Sequence, residues 1–308
     1  MIVTLTLSPA VDRILFIPKF TAHSENRVKT AYTGAGGHGI NVSRALAVMG
    51  TESIACGFIG GQNGRLIKDY LNSVSITHDF VEIAGETRIN IKIIDESGEH
   101  TDINEAGFTV NDQDFEYLSQ RMSKYINHEN IIALCGSPTI GFEPEKYAEL
   151  CMAVTGRGAK LIVDTRPVYL AESLKAKPDF VKPSLSELEA VLGQKLTSHT
   201  EIRDGAYELV RRGAKIAAVS MGEDGAIFAD EKEAFYVPAP KVDVIDTAGA
   251  GAVMVAGACH AISNGMNLEA LAVYASAAAS ASVASEGTVM TSRRQLLNIL
   301  PLVEASKI

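Results

Sequence analysis

Short runs of aliphatic and β-branched residues alternate along the chain with longer stretches whose apolar positions recur every three to four residues, the pattern of a mostly parallel sheet covered by helices. Strands are predicted over 2–7, 53–57, 131–135, 160–164, 180–182 and 215–220. Helices are predicted over 41–49, 64–71, 112–123, 143–154, 186–192 and 201–211. Beyond Ser220 the rhythm changes, because 225–229, 234–237 and 242–245 are short and bounded by turn residues, which predicts an antiparallel margin. Helical spacing returns over 251–263, 268–284 and 292–300.

Two segments break the strand–helix rhythm. Residues 11–17 with 26–32, and 88–95 with 99–103, read as extended strands with polar alternation, the second pair joined by Ser97-Gly98 as a hairpin turn. Together, over about 11–33 and 87–103, they form a small sheet outside the main layer. Periodicity is equally consistent with a lid over a cleft and with an edge sheet that has no further role. Neither an internal repeat nor a Pro-, Gly- or Ser-rich linker divides the chain, so 1–308 reads as a single α/β domain.

Composition narrows the function classes. With 46% hydrophobic and 21% charged residues, the 308-residue chain is a globular protein, neither disordered nor fibrous. Lys and Arg number 28 against 37 Asp and Glu, a net charge of −9 without any basic run, which argues against a nucleic-acid partner. No stretch of about 20 apolar residues is present, so no membrane partner is expected and a cytoplasmic location is the default. Cys56, Cys135, Cys151 and Cys259 lack C-x-x-C spacing, and three lie in or beside apolar or Ala-rich segments, as reduced structural thiols do.

Two glycine-rich segments carry candidate chemistry. Gly34-Ala35-Gly36-Gly37-His38-Gly39 formally matches G-x-G-x-x-G and opens a helix. The segment before it alternates charged and small residues, whereas a dinucleotide fingerprint follows a buried central strand. Two readings remain: a loop whose backbone approaches a ligand, next to Asn41 as a hydroxyl partner, or a tight turn packing helix against sheet. The second segment, Asp246-Thr247-Ala248-Gly249-Ala250-Gly251, feeds an apolar helix whose first N–H groups can converge on an anion. No G-x-x-x-x-G-K-[ST] motif occurs, but phosphoryl transfer needs chiefly positioned N–H donors and a metal for the spreading charge.

These segments, taken in order, resemble the PfkB (ribokinase-like) carbohydrate kinases, and within them the 1-phosphofructokinase and tagatose-6-phosphate kinase subgroup. The resemblance covers essentially the whole chain. It rests on the run from Thr4 to Asp12, Gly36-Gly37-His38-Gly39-Ile40-Asn41-Val42, Lys182-Pro183-Ser184-Leu185-Ser186-Glu187-Leu188, the run from Val219 to Ala226, and the run from Asp246 to Gly251. It implies a Rossmann-like α/β domain with a small β-sheet lid, ATP as phosphoryl donor, Mg²⁺, a sugar phosphate as acceptor, and a homodimer formed through the lid.

The resemblance also assigns roles. Asp12 would accept hydrogen bonds from sugar hydroxyls, and Gly37, His38, Gly39 and Asn41 would hold the sugar. Arg88 with Ser137 would approach its existing phosphate, a task suited to a planar guanidinium fork, and Arg27 stands where relatives carry a basic lid residue. Lys182 and Glu187 match a segment that contacts the nucleotide and orders Mg²⁺ through water, as suits a carboxylate facing an ion that keeps much of its hydration shell. Taken alone, Glu187 also reads as a solvated helix residue. Ser220, Gly222 and Gly225 match the strand and turn beside the nucleotide, and Asp164 matches a carboxylate near the phosphates. Gly249, Ala250 and Gly251 form the cradle.

One departure bears directly on activity. Where relatives carry the aspartate that takes the proton from the attacking hydroxyl, this chain has Ala252. A methyl group accepts no proton, and general-base catalysis is typically worth about 10²–10⁴ in rate. Ser184 stands where an Asn-x-x-Glu motif usually begins, His38 replaces a common Lys or Gly, and Gly136-Ser137-Pro138-Thr139 replaces Gly-Ser-Leu-Pro. The expectation is therefore an ATP-dependent phosphotransferase acting on a hydroxyl of a ketohexose phosphate with its usual base missing. The alternative is a pseudokinase that binds sugar phosphate or nucleotide as a sensor or regulatory partner.

Overall fold

The computed structural model describes residues 1–285, 287–289 and 292–308. In chain order the first strands are β1 (Ile2–Thr6), β2 (Ala10–Ile17), β3 (Thr30–Gly36), β4 (Ser53–Ile59), β5 (Thr77–Glu82), β6 (Arg88–Asp95) and β7 (His100–Asn104). They continue as β8 (Ile131–Cys135), β9 (Lys160–Asp164), β10 (Phe180–Val181), β11 (Ala217–Ser220), β12 (Ala226–Ala229), β13 (Ala234–Val237) and β14 (Ser306–Lys307). The helices are α1 (His38–Met49), α2 (Gly61–Ser73), α3 (Asp112–Ser123), α4 (Pro144–Gly156) and α5 (Pro167–Ser173). Then come α6 (Leu185–Leu192), α7 (His199–Arg211), α8 (Ala250–Ser263), α9 (Leu268–Val283) and α10 (Arg293–Ile299).

The large sheet runs β14-β13-β12-β11-β10-β9-β8-β1-β4-β5. From β11 to β5 every pair is parallel, and from β11 to β14 every pair is antiparallel. The chain leaves β1 toward β4 and β5 and returns on the other side as β8, so the topological switch lies between β1 and β8. Open α/β sheets bind ligands in the crevice beyond the carboxyl ends of the strands at such a switch. A separate sheet, β3-β2-β6-β7, grows from the carboxyl end of β1.

Apolar side chains cover both faces of the large sheet. One layer joins α1, α8, α9 and α10 to residues such as Phe180 and Phe228; the other joins the α3–α7 side to Phe58, Leu134 and Val181. The pair α8/α9 packs closely because its contact is built from small residues: a Cβ on Gly257 would lie 2.8 Å from Ala275 Cα. Packing this tight holds the axis of α8, and with it the direction in which its amino end points.

Most predicted elements are present within a few residues; two predicted strands differ, and β5 and α5 are among the elements the pattern does not predict. No strand forms over 242–245; the N–H groups of Ile245 and Asp246 both donate to Val283 O instead of to a neighbouring strand. The strand predicted over 26–32 is displaced to Thr30–Gly36, carrying the pairing into the glycine run. Strand β5 is an edge strand, Thr-His-Asp-Phe-Val-Glu, with too few apolar residues to stand out, and α5 is short. All four cysteines are buried free thiols, and burial pushes Cys56 and Cys259 up to about 12. No helix among the described residues is long and apolar enough to cross a membrane.

Candidate active site

The carboxyl ends of neighbouring parallel strands bring several predicted residues together. Asp164 closes β9, Lys182 follows β10, Ser220 closes β11, and Ser137 lies two residues past β8. Gly136 N–H donates to Asp164 O at 2.6 Å and Thr165 Oγ1 donates to Gly136 O at 3.0 Å, so the Ser137 turn is tied to the end of β9. Lys182 Nζ stands 3.3 Å from Asp164 Oδ1, and their side chains are only 6% and 7% exposed. Asp164 Oδ2 is buried without a partner among the described residues. A Cβ placed on Gly251 would lie 3.4 Å from Lys182 Nζ, so this buried ion pair sits under the first turn of α8.

That first turn is open. Gly249 caps α8 with a φ of 81°, in the left-handed region, and a Cβ there would approach Thr288 O to 1.9 Å, so both conformation and space call for glycine. No side chain caps the helix and its first turn contains no acidic residue. The N–H groups of Gly251 and Ala252 meet no protein acceptor among the described residues, as expected of the orphan donors at a helix start. Helix α6 is the contrast. Its N-terminus is closed by a capping box in which Ser184 N–H donates to Glu187 Oε2 at 2.8 Å and Glu187 N–H to Ser184 Oγ at 3.3 Å.

A cavity of about 440 Å³ opens beside the start of α8. Ser220, Gly222 and Gly225 line one wall, and Thr247, Ala250 and Gly251 line another. Val237, Val242, Val244, Met254, Ala279 and Val283 supply apolar surface, so the 242–245 segment, predicted as a strand, is a cavity wall instead. Its apolar side chains left no periodic signal for a binding role. The space and the mixed lining suit a purine nucleoside whose phosphates reach the helix start.

The small sheet presents a polar face. Asp12 on β2 is in register with Asn90 on β6, and Ile14 with Lys92, so Arg88, Asn90 and Lys92 share one face with Asp12. Asn90 Nδ2 donates to Asp12 Oδ1 at 2.9 Å, and Arg88 Nη1 donates to Asn90 Oδ1 at 2.5 Å. Burial raises the Asp12 carboxyl above its usual range, against the opposing effects of Asn90, Arg88, Arg44 and Lys92. Burial likewise lowers Arg88, with Asp12 opposing, and Arg88 Nε has no partner among the described residues. The predicted strand 88–95 already contained the signal for Asn90 and Lys92, since residues at i, i+2 and i+4 face one way; only Arg88 was singled out.

The first glycine run makes room for the protein's own atoms. A Cβ on Gly36 would fall 2.0 Å from Asp12 Oδ2, one on Gly37 would fall 2.7 Å from Thr6 Cγ2, and one on Gly39 would fall 2.4 Å from Thr6 Oγ1. The close approach brings His38, exposed at the start of α1, against Gly136 beside Ser137. Asn41 Oδ1 accepts from Arg44 Nη1 at 2.9 Å and from Thr288 Oγ1 at 3.2 Å. Arg44 also donates to Thr288 Oγ1 at 2.8 Å, which links the Asp12 neighbourhood to the residue packed on Gly249. Arg27 stays apart: it is exposed and paired with Glu25, and among the described residues nothing joins it to the other candidates.

The donor set suits a hydrated magnesium ion better than a fully protein-coordinated metal. Among the described residues no group of three or more His, Cys, Asp or Glu side chains converges. Glu187 spends Oε2 on its helix cap, which leaves Oε1 as the atom through which it could hold an ion by way of water.

The 1-phosphofructokinase of Rhodobacter capsulatus is 35% identical over 278 residues, covering 90% of this chain and 88% of the relative. That of Escherichia coli K12 is 30% identical over 303 residues, 98% of this chain and 97% of the relative. Phosphofructokinase-2 from Escherichia coli in complex with fructose-6-phosphate superposes with a TM-score of 0.92 at 29% identity, covering 97% of this chain and 98% of that one. The signature of the pfkB family carbohydrate kinases matches residues 3–294, and the chain belongs to that family.

Proposed function

We propose that the chain binds a ketohexose phosphate beneath the small sheet and ATP in the cavity beside α8, and that phosphoryl transfer between them is slow because residue 252 is alanine. The observation that carries this reading is the uncapped start of α8, beside a cavity that Ala250 and Gly251 line. The residue packed on its Gly249 cap, Thr288, is hydrogen-bonded to Arg44, a neighbour of Asp12. Similarity to proteins named 1-phosphofructokinase, and to one solved with fructose-6-phosphate, supports the substrate class.

In this arrangement the ionised Asp12 accepts hydrogen bonds from sugar hydroxyls, and Arg88 with Ser137 holds the phosphate already on the sugar. Gly251 and Ala252 N–H groups receive the charge that spreads over the moving phosphoryl group, with Lys182 beneath them. The new bond joins the sugar oxygen to phosphorus while the bond to the bridging oxygen breaks and its electron pair leaves with ADP. The hydroxyl proton passes to water, since the Ala252 methyl cannot take it. Glu187 would hold a magnesium ion through water, and that ion would supply neutralisation of the phosphate charge.

We further propose that two copies associate through the small sheet. Its edge strands β3 and β7 carry exposed Tyr32 and Ile103, which a partner sheet would cover. The ligand-binding reading is tested by a thermal-shift panel of fructose 1-phosphate, fructose 6-phosphate and tagatose 6-phosphate, each with and without ATP and Mg²⁺. At least one sugar phosphate and ATP should each raise the melting temperature. No shift with any of them at saturating concentration refutes the reading. The sensor alternative is favoured by Ala252 alone, and it predicts binding with no gain in turnover when a carboxylate is restored there.

A further inference from the structure

Three cations act on the Asp12 carboxylate: Arg88, Arg44 and Lys92. Two of them have partners of their own. Arg88 donates to Asn90, and Arg44 donates to Asn41 and Thr288. Lys92 instead crosses from the small sheet to the main body, where its Nζ lies 3.7 Å from Asp246 Oδ1. Both side chains are about four-fifths buried, at 21% and 20% exposure. The same Asp246 oxygen accepts from Ala248 N–H at 2.8 Å, within the turn that leads into Gly249 and α8.

Lys92 therefore stands between the carboxylate that meets the sugar and the turn that feeds the open helix start. A distance of 3.7 Å exceeds a direct N–H···O hydrogen bond, so Asp246 keeps the ammonium in place by charge and leaves its donors free for a better acceptor. A compact ammonium on a flexible stem suits a group that changes position, as a transferred phosphoryl does, whereas the fixed fork of Arg88 suits the phosphate that stays. We infer that Lys92 is a ligand of the transferred phosphoryl group, exchanging Asp246 for phosphoryl oxygens once that group lies between nucleotide and sugar. This inference rests on the proposed function, and its test separates the two.

The probe is fructose 1,6-bisphosphate, which carries a phosphoryl group at the position to which transfer delivers it. The comparator is whichever of fructose 1-phosphate and fructose 6-phosphate the parent binds more tightly. Calorimetric titrations of the parent, Lys92→Met, Lys92→Gln and Lys92→Arg are compared without nucleotide. In both neutral variants the bisphosphate should bind about 10–100-fold more weakly, the loss of one charge-assisted contact, while the monophosphate changes by less than about threefold. Lys92→Arg should recover most of the bisphosphate affinity. Equal losses for both ligands, or unchanged bisphosphate affinity, overturns the role of Lys92 and leaves the proposed function standing. A parent that binds neither the bisphosphate nor any of fructose 1-phosphate, fructose 6-phosphate and tagatose 6-phosphate overturns the proposed function and this inference with it.

Discussion

Removing the ammonium of Lys182 exposes how the helix start is supported. Lys182→Met keeps the aliphatic stem in its packing but leaves Asp164, 7% exposed and already without a partner for Oδ2, as a buried carboxylate with no counter-charge. Breaking a buried pair from one side costs about 3–5 kcal/mol, because the remaining ion keeps its desolvation penalty and loses its compensation. For a chain of this length a urea slope of about 3 kcal/mol per molar or more is expected, so the unfolding midpoint should fall by about 1 M. Lys182→Met/Asp164→Asn removes the stranded charge and should regain at least half of the loss, a coupling that a double-mutant cycle measures directly. A midpoint shift below about 0.3 M, or a double variant no more stable than Lys182→Met, refutes the reasoning.

Gly249→Ala combines a left-handed φ of 81° with a contact 1.9 Å from Thr288 O, whereas Gly222→Ala has a φ of 64° and open space around it. The first should cost well above the approximately 1–2 kcal/mol of conformational strain that the second incurs, and only the first should abolish the ATP-dependent thermal shift; equal costs in urea unfolding would count against the packed cradle. The raised carboxyl of Asp12 means that the folded chain binds that proton more tightly than the unfolded chain, so its ionised form works against the fold at neutral pH and stability rises as pH falls through the raised value. Asp12→Asn should then melt at or above the parent temperature while losing sugar-phosphate binding, and parent affinity should decline on acidification before an ordinary carboxylate would titrate; a variant that melts several degrees lower contradicts this. Tyr32→Lys places a charge on an exposed edge strand at a residue 62% exposed, and light scattering should find it monomeric where the parent is dimeric; an unchanged mass refutes association through the small sheet.

Much of the fold could be read from periodicity because buried parallel strands and amphipathic helices leave opposite signatures. Strands such as Ile131–Cys135 and Lys160–Asp164 coincide with their apolar runs. The exceptions have particular causes. Apolar residues at Val242, Val244 and Ile245 imitate a strand, but Ile245 and Asp246 give their N–H groups to Val283 O and the segment instead walls a cavity. The edge strand Thr77–Glu82 is mostly polar and imitates a loop. The candidate site was legible where ordered motifs marked it, at Asp12, Arg88, Lys182 and the Gly249–Gly251 turn. Asn90, Arg44, Thr288 and Lys92 were not, since their significance comes from cross-strand register and contacts over long sequence separations that no local motif records. Glu187 and Ser184 show the reverse, for the local spacing that suggested a metal-ordering carboxylate also builds a capping box.

The central claim is that this chain holds the apparatus for phosphoryl transfer and lacks only the proton acceptor. Ala252 is the third residue of α8, where the helix dipole favours a carboxylate, but it is 1% exposed in the apolar layer, so a carboxylate there must be reached by solvent or ligand from the helix start. Steady-state turnover of ATP with fructose 1-phosphate, fructose 6-phosphate and tagatose 6-phosphate, measured for parent and Ala252→Asp, tests the claim directly. The account predicts a rise in kcat of about 10²–10⁴-fold with at least one of these acceptors and little change in its KM. A folded Ala252→Asp protein that binds both ligands yet gains less than about threefold with every acceptor would contradict it.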